Sequence, residues 1–204
     1  MKNQIMFEGQ IISEEEAVRI VKDYPEDLSR IKNQTEKVCI EAIREAIRED
    51  ISSLQYVENQ MEELCLQIVK NKWYTLKYIK NQTKEMCLEA VKKDGVALQY
   101  VKNPTEEICI EAVRQNGWVL EYIENQTENI CLEAVRQNAL AFRYVKNQTE
   151  EICLEAVRIH GNTLRDVKNQ TEQICLEAVK QNKSALKYVN NEFKEICEKA
   201  LKVS

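Results

Sequence analysis

The sequence has little of what turns a chain sharply. Four glycines and two prolines serve 204 residues. A sandwich or barrel of many tight turns uses more of both, so a mostly helical chain is expected. Histidine is scarcer still. His160 is the single one, which excludes a histidine-rich metal site and argues against a histidine-based triad. Long apolar runs are missing. The longest hold three or four residues, such as Ile5-Met6-Phe7, far from the roughly 18 of a membrane span. Residues 1–8 are too polar for a secretory leader. There is no basic excess either. Lys plus Arg is 29 and Asp plus Glu is 34, for a net charge of −5, which disfavours nucleic acid or anionic membrane as a target of overall charge.

What the sequence does have is a period. Cysteines stand at Cys39, Cys65, Cys87, Cys109, Cys131, Cys153, Cys175 and Cys197, separated by 26 once and then by 22 six times. A fixed period in the twenties marks a repeat array. The unit reads Asn-Gln-Thr-Glu-Glu-Ile-Cys-Leu-Glu-Ala-Val-Arg-Gln-Asn-Gly-x-Ala-Leu-x-Tyr-Val-Lys, and positions 1 to 22 below count along it. Full copies start at Asn33, Asn59, Asn81, Asn103, Asn125, Asn147 and Asn169. A divergent copy fills residues 11–32 and a half copy fills 191–204. The expected organisation is a capping arm at 1–10 and a single solenoid over 11–204 (divergent repeat 11–32, seven full repeats 33–190, half-repeat cap 191–204).

Each unit reads as two helices. Thr at position 3 suits an N-cap, Glu at 4 and 5 the positive start, and Lys or Arg at 12 the negative end. Apolar residues at 6, 7, 8, 10 and 11 make a stripe too wide for a lone surface helix. Asn or Asp at 14 then caps a second, shorter helix that buries Leu at 18 and Val or Ile at 21, with Tyr at 20 beside them. One unit cannot stand alone. Ordering each backbone residue costs about 1–2 kcal/mol, while each large apolar side chain returns about 1.5–3 kcal/mol. Neighbours must cover both faces, which is the logic of an all-α solenoid of tandem 22-residue two-helix repeats.

Three irregularities carry expectations. Position 8 is apolar from Val18 to Leu176 but Glu198 in the last half copy, so it is expected to pack on the following repeat. Ile5, Met6 and Phe7 are expected to fold back over the first repeat. The first full copy holds four extra residues, Glu45-Ala46-Ile47-Arg48 repeating Glu41-Ala42-Ile43-Arg44, and is expected to bulge locally.

A unit of this form resembles the DUF4116 repeat family, catalogued as a domain of unknown function. Residues 147–158, Asn-Gln-Thr-Glu-Glu-Ile-Cys-Leu-Glu-Ala-Val-Arg, carry the resemblance best, and it extends over 33–204. Copy one, with its insert, and copy six, with Asp166 for Tyr, depart from it. The resemblance implies a helical-repeat fold and brings no activity and no catalytic residue. Proteins of this look occur in large viruses of protists, in phage-like and bacterial genomes and among secreted effectors of intracellular bacteria. That implies virus–host or parasite–host contact.

The candidate chemistry is sparse. The cysteines lie too far apart on stacked helices for disulfides and have no C-x-x-C pair for a metal, so a ladder of buried free thiols is expected, in a reducing, cytoplasmic compartment. Asn-x-Ser/Thr triplets at Asn33, Asn81, Asn125, Asn147, Asn169 and Asn182 read as helix ends and caps rather than glycosylation sites. Recurring Glu at 4, 5 and 9 read as a solvated face, since a catalytic carboxylate pair is singular and desolvated. No enzyme activity, cofactor, metal, membrane or small-molecule substrate is expected. Arg114, Arg136, Arg143, Arg158 and Arg165 form basic columns able to track an RNA phosphate backbone, although no stacking aromatic is expected beside them. Positions 15 and 16 vary most, where the scaffold is expected to require no bulk. The favoured function is a protein-binding adaptor or inhibitor. Its partner-binding residues are Trp73, Tyr74, Trp118, Leu140, His160, Arg165 and Asp166. Phosphate-backbone binding and a structural subunit of a larger assembly are the alternatives.

Overall fold

Most repeats begin where a hydroxyl meets a free backbone N–H; the copy with Met61 at this place has no such cap. The Ser13 hydroxyl oxygen accepts from the Glu16 N–H at 3.1 Å, and those of Thr105 and Thr149 accept from Ile108 and Ile152 at 3.4 Å. An α-helix follows, with Glu in its first turn and Arg or Lys in its last. Position 14 then caps a second segment. Asp50 accepts from Ser52 N–H at 2.9 Å, Asn116 from Trp118 at 3.1 Å and Asn138 from Leu140 at 3.0 Å. That second segment is a six-residue 3₁₀ helix in every copy that has one. A 3₁₀ helix rises about 2.0 Å per residue against about 1.5 Å for an α-helix. Six residues therefore return nearly as far as ten advance, which lets a short unit close on itself.

The computed structural model describes residues 4–203, an all-α tandem-repeat solenoid. The first three residues of the expected capping arm, and Ser204, fall outside the described residues. The chain divides into two compact units, residues 1–93 with 100–102 and residues 94–99 with 103–204.

In the first unit, strands β1 (Met6–Phe7), β2 (Gln10–Ile11) and β3 (Ile31–Lys32) form a small antiparallel sheet in the order β2-β1-β3. Glu8 and Gly9, both at positive φ, make the two-residue turn between β1 and β2. The arm thus folds back as expected, but as strands. Ile5 is its buried residue, while Met6 stays 36% exposed. Helices α1 (Glu14–Asp23), α2 (Glu36–Arg48), α3 (Glu62–Asn71) and α4 (Lys84–Lys93) alternate with 3₁₀ helices η1 (Pro25–Arg30), η2 (Ile51–Tyr56) and η3 (Trp73–Tyr78). The inserted turn makes no bulge. α2 simply runs on as 13 residues of unbroken α-helix, because four residues nearly restore the 3.6-residue phase. Glu45, in the added turn, is buried against Arg48 at 3.0 Å. The next copy compensates. Lys72 replaces the usual Asn or Asp at position 14 and donates its ammonium to the Ile47 carbonyl, capping the longer helix at 3.2 Å.

The second unit holds most of η4 (Gly95–Tyr100), then α5 (Glu106–Gln115), η5 (Gly117–Tyr122), α6 (Glu128–Gln137), η6 (Ala139–Tyr144), α7 (Glu150–Ile159), η7 (Gly161–Asp166), α8 (Glu172–Gln181), η8 (Lys183–Tyr188) and α9 (Asn191–Val203). From α5 to α9 each α-helix packs on the next, and from η5 to η8 so does each 3₁₀ helix. The core between the layers takes positions 6, 7, 10, 11, 17, 18 and 21, as in Ile108, Cys109, Ala112, Val113, Val119, Leu120 and Ile123. Position 8 is half-buried in most copies and fully buried at Leu132. In α9 Glu198 at position 8 is exposed, and so are Ala200 at position 10 and Ile196 at position 6, 38% where Ile174 is 1%.

Backbone clamps between repeats come from a residue that sequence reasoning passed over, the Gln at position 2. The Gln82 amide donates to the carbonyls of Leu76 at 3.0 Å and Tyr100 at 2.8 Å, while its oxygen accepts from the Lys102 N–H at 2.9 Å. Gln60 and Gln126 repeat the pattern. Pro104 takes this position in the fourth full copy and has no amide to offer. Lys at position 22 adds a second tie, as Lys146 donates to the carbonyls of Ile123 and Glu124 at 3.1 and 3.0 Å.

Candidate docking surface

The α layer consumes its own charges. Arg114 bonds Glu133 of the next copy at 2.6 Å, Arg136 bonds Glu155 at 3.0 Å and Glu133 at 3.3 Å, and Arg158 bonds Glu177 at 3.1 Å. The Arg114 guanidinium is the main reason the Glu133 carboxyl is held below its ordinary range. The threonine caps donate across repeats as well, Thr127 to Glu106 at 2.6 Å and Thr149 to Glu128 at 2.5 Å. Carboxylates read as a solvated face therefore link successive helices. Three of the five arginines proposed for a phosphate backbone hold carboxylates of this layer, and Arg165 holds its neighbour Asp166 at 3.3 Å.

The cysteines are all free and all buried. The Cys131 and Cys175 thiols donate to Gln126 and Gln170 at 3.7 and 3.3 Å. Burial pushes Cys65, Cys131 and Cys153 up to about 11 and Cys175 up to about 12. At neutral pH these groups stay protonated and are poor nucleophiles.

The 3₁₀ layer differs. With three residues per turn, positions 16 and 19 share one face and 18 and 21 another. Leu120 and Ile123 fill the core, so the first face points outward. Position 16 carries Tyr74 at 40%, Trp118 at 37% and Leu140 at 40% exposure. Position 15 is not free, and where it is Gly there is no room for a side chain. A Cβ on Gly117 would stand 2.6 Å from the Ala134 carbonyl oxygen, and one on Gly161 2.4 Å from that of Ala178. Trp73, at this position in the first unit, is half-buried. Its ring stacks on Tyr100 at 6.3 Å and meets Tyr74 edge-on at 5.9 Å.

The sequence-expected residues divide accordingly. Trp73 and Tyr74 lie on η3 in the first unit. Trp118, Leu140, Arg165 and Asp166 lie on η5 to η7 in the second. His160 is the exposed junction between α7 and η7, with no side-chain cap bond. The tyrosine column was misplaced. Tyr56 and Tyr122 are 45% and 54% exposed, and Tyr78, Tyr100, Tyr144 and Tyr188 are half-buried. Surface aromatics do recur beside position 19. The Lys77 and Lys187 ammonium groups sit 4.6 and 4.8 Å from the Tyr78 and Tyr188 ring centres. The three-residue spacing of the buried positions 18 and 21 is the signal in the sequence that sets positions 16 and 19 on a separate face.

Residues 61–104, 83–127, 105–149, 127–171 and 149–194 each match the model of a domain of unknown function, DUF4116. The chain belongs to the DUF4116 family. The overlapping DUF4116 matches advance in steps of one repeat and start after the copy with the inserted turn. No curated protein and no solved structure matches the chain. Among the described residues no group of three or more His, Cys, Asp or Glu is placed to hold a metal, and no helix is long and apolar enough to cross a membrane.

Proposed function

We propose that this DUF4116 chain is a non-enzymatic protein-binding scaffold. It acts as an adaptor or inhibitor that docks a partner protein on its 3₁₀ helices, in a reducing cytoplasm of the producing cell or of an infected host. One observation carries the reading. Large apolar side chains at position 16, Tyr74, Trp118 and Leu140, stand in solvent although every repeat has a core to bury such groups. Trp, Tyr and Arg dominate protein–protein hot spots, and Trp118, Tyr122, Arg143 and Tyr144 occupy adjacent 3₁₀ helices. The phosphate-backbone reading ranks below it, because most of its arginines already hold carboxylates.

The test is affinity purification from the native cell with and without nuclease, using wild type and the Tyr74→Ala and Trp118→Ala variants. The expected result is a stoichiometric, nuclease-resistant protein whose retention falls about tenfold or more in the variants. Unchanged retention would overturn the site. Partners that vanish with nuclease, with affinity falling steeply as salt rises, would transfer the function to nucleic acid.

A further inference from the structure

The arginines of the second unit are almost all used internally. Of the five, Arg114, Arg136, Arg158 and Arg165 each hold a carboxylate. Arg143, exposed on η6, holds none among the described residues. Two copies on, Lys187 of η8 also lacks a carboxylate, and its ammonium rests over the Tyr188 ring. Trp118 and Leu140 stand exposed at the near end of the same row. Two cations without anions, beside two apolar anchors, face solvent along packed 3₁₀ helices.

We infer that this row takes an extended acidic segment of a protein. The segment seats an apolar side chain on Trp118 and Leu140 and sets carboxylates on Arg143 and Lys187. The inference rests on the docking reading above and adds the chemistry of the occupant. Neighbouring helices lie about 8–10 Å apart, so two copies span about 16–20 Å. That is about five or six residues of extended chain, so the segment carries two acidic residues at roughly that separation.

A polynucleotide fits the row less well. Glu121 lies in it at position 19, and Asp166 stands beside it on Arg165. A continuous phosphate chain would meet both, whereas a peptide passes them with neutral side chains. Two of the rings a base could stack on already meet a neighbour. Trp118 meets Tyr144 edge-on at 5.9 Å, and Lys187 covers Tyr188.

The test titrates a fluorescein-labelled Glu–Tyr copolymer with the full chain and follows anisotropy. A Lys–Tyr copolymer and labelled oligouridylate run in parallel. The Glu–Tyr copolymer should bind, with affinity falling between about 50 and 200 mM salt. Arg143→Glu combined with Lys187→Glu should weaken it about tenfold or more, as should Trp118→Ala. Lys194→Glu with Lys199→Glu makes the same charge change on α9 and should leave affinity within about twofold. Thermal melts of each variant check that the fold persists. Absence of copolymer binding, or a row variant that binds like wild type, would overturn the inference. Oligouridylate binding that the row variant abolishes, with the copolymer silent, would also overturn it and assign the row to nucleic acid. A native nuclease-resistant partner lost by Trp118→Ala but kept by the double variant would leave the docking reading standing and remove only the acidic segment.

Discussion

The α layer and the 3₁₀ layer come from the same repeat, yet they use polar side chains in opposite ways. In the α layer a charge that recurs finds its complement one repeat away, Arg114 with Glu133 and Arg136 with Glu155. Among the described residues of the second unit, the recurring cation at position 19 of the 3₁₀ layer meets a carboxylate only at Arg165, where copy six has Asp166 in place of Tyr. A column of charge in a repeat protein is therefore poor evidence of binding by itself. The informative column is the one whose partners are missing. Exposed Trp and Tyr mark the same layer, and the two signals adjoin where Trp118 and Tyr122 of η5 stand next to Arg143 of η6.

The comparison breaks most severely if the shared core is emptied. Phe142 is fully buried between the layers. Phe142→Ala should cost about 3–5 kcal/mol in urea unfolding and loosen both layers together. A smaller loss would mean that the 3₁₀ layer is not packed as described. The buried thiols sharpen the same point through pH. Burial raises the folded pKa of Cys131 from about 9 to about 11, so the folded state holds its proton longer than the unfolded chain. Its stabilising contribution is full below about pH 9 and is lost as pH rises through about 11. Urea midpoints should fall over that window, and less steeply in Cys131→Ala. Equal slopes would show the thiol open to solvent.

The clamps come next. Gln126→Ala strands the carbonyls of Leu120 and Tyr144 and the N–H of Lys146, and should cost about 2–3 kcal/mol. Pro104→Gln installs the missing amide. It should stabilise by about 1 kcal/mol, the new bonds outweighing the freer unfolded chain. A destabilised variant would show that the fourth copy cannot accept the clamp. The smallest stability effects belong to the exposed charges. Arg136→Ala should cost below about 1 kcal/mol, as an exposed pair does. Arg143→Ala should leave the melting temperature unchanged while weakening the docked partner. A stability loss at Arg143 matching that at Arg136 would erase the distinction between the layers.

Much of this was legible before any coordinate. The period, the threonine and asparagine caps, the buried cysteine column and the fold class follow from spacing and from hydrogen bonds within a few residues. The lengthened α2 was legible as a turn duplication, but not its smooth continuation or its repair by Lys72, because the Ile47 carbonyl lies 25 residues away. The hairpin of the arm is local, turning at Glu8 and Gly9, but its docking through β1 depends on Ile31 and Lys32, more than twenty residues on. How far each tyrosine stands out of the core depends on its neighbours in the next repeat, from half-buried Tyr144 to 54% exposed Tyr122, and spacing within one copy does not carry that.

The sequence by itself determined what repeats, because caps, charges at helix ends and apolar spacing act between near neighbours along the chain. Only the tertiary structure decided which of the repeated groups are consumed. A Gln amide, a Lys ammonium or an Arg guanidinium is satisfied or left unpaired by what stands beside it one repeat away, and that is a distance in space. The outward row of Tyr74 in one unit, and of Trp118, Leu140 and Arg143 in the other, is what remains once those bonds are made.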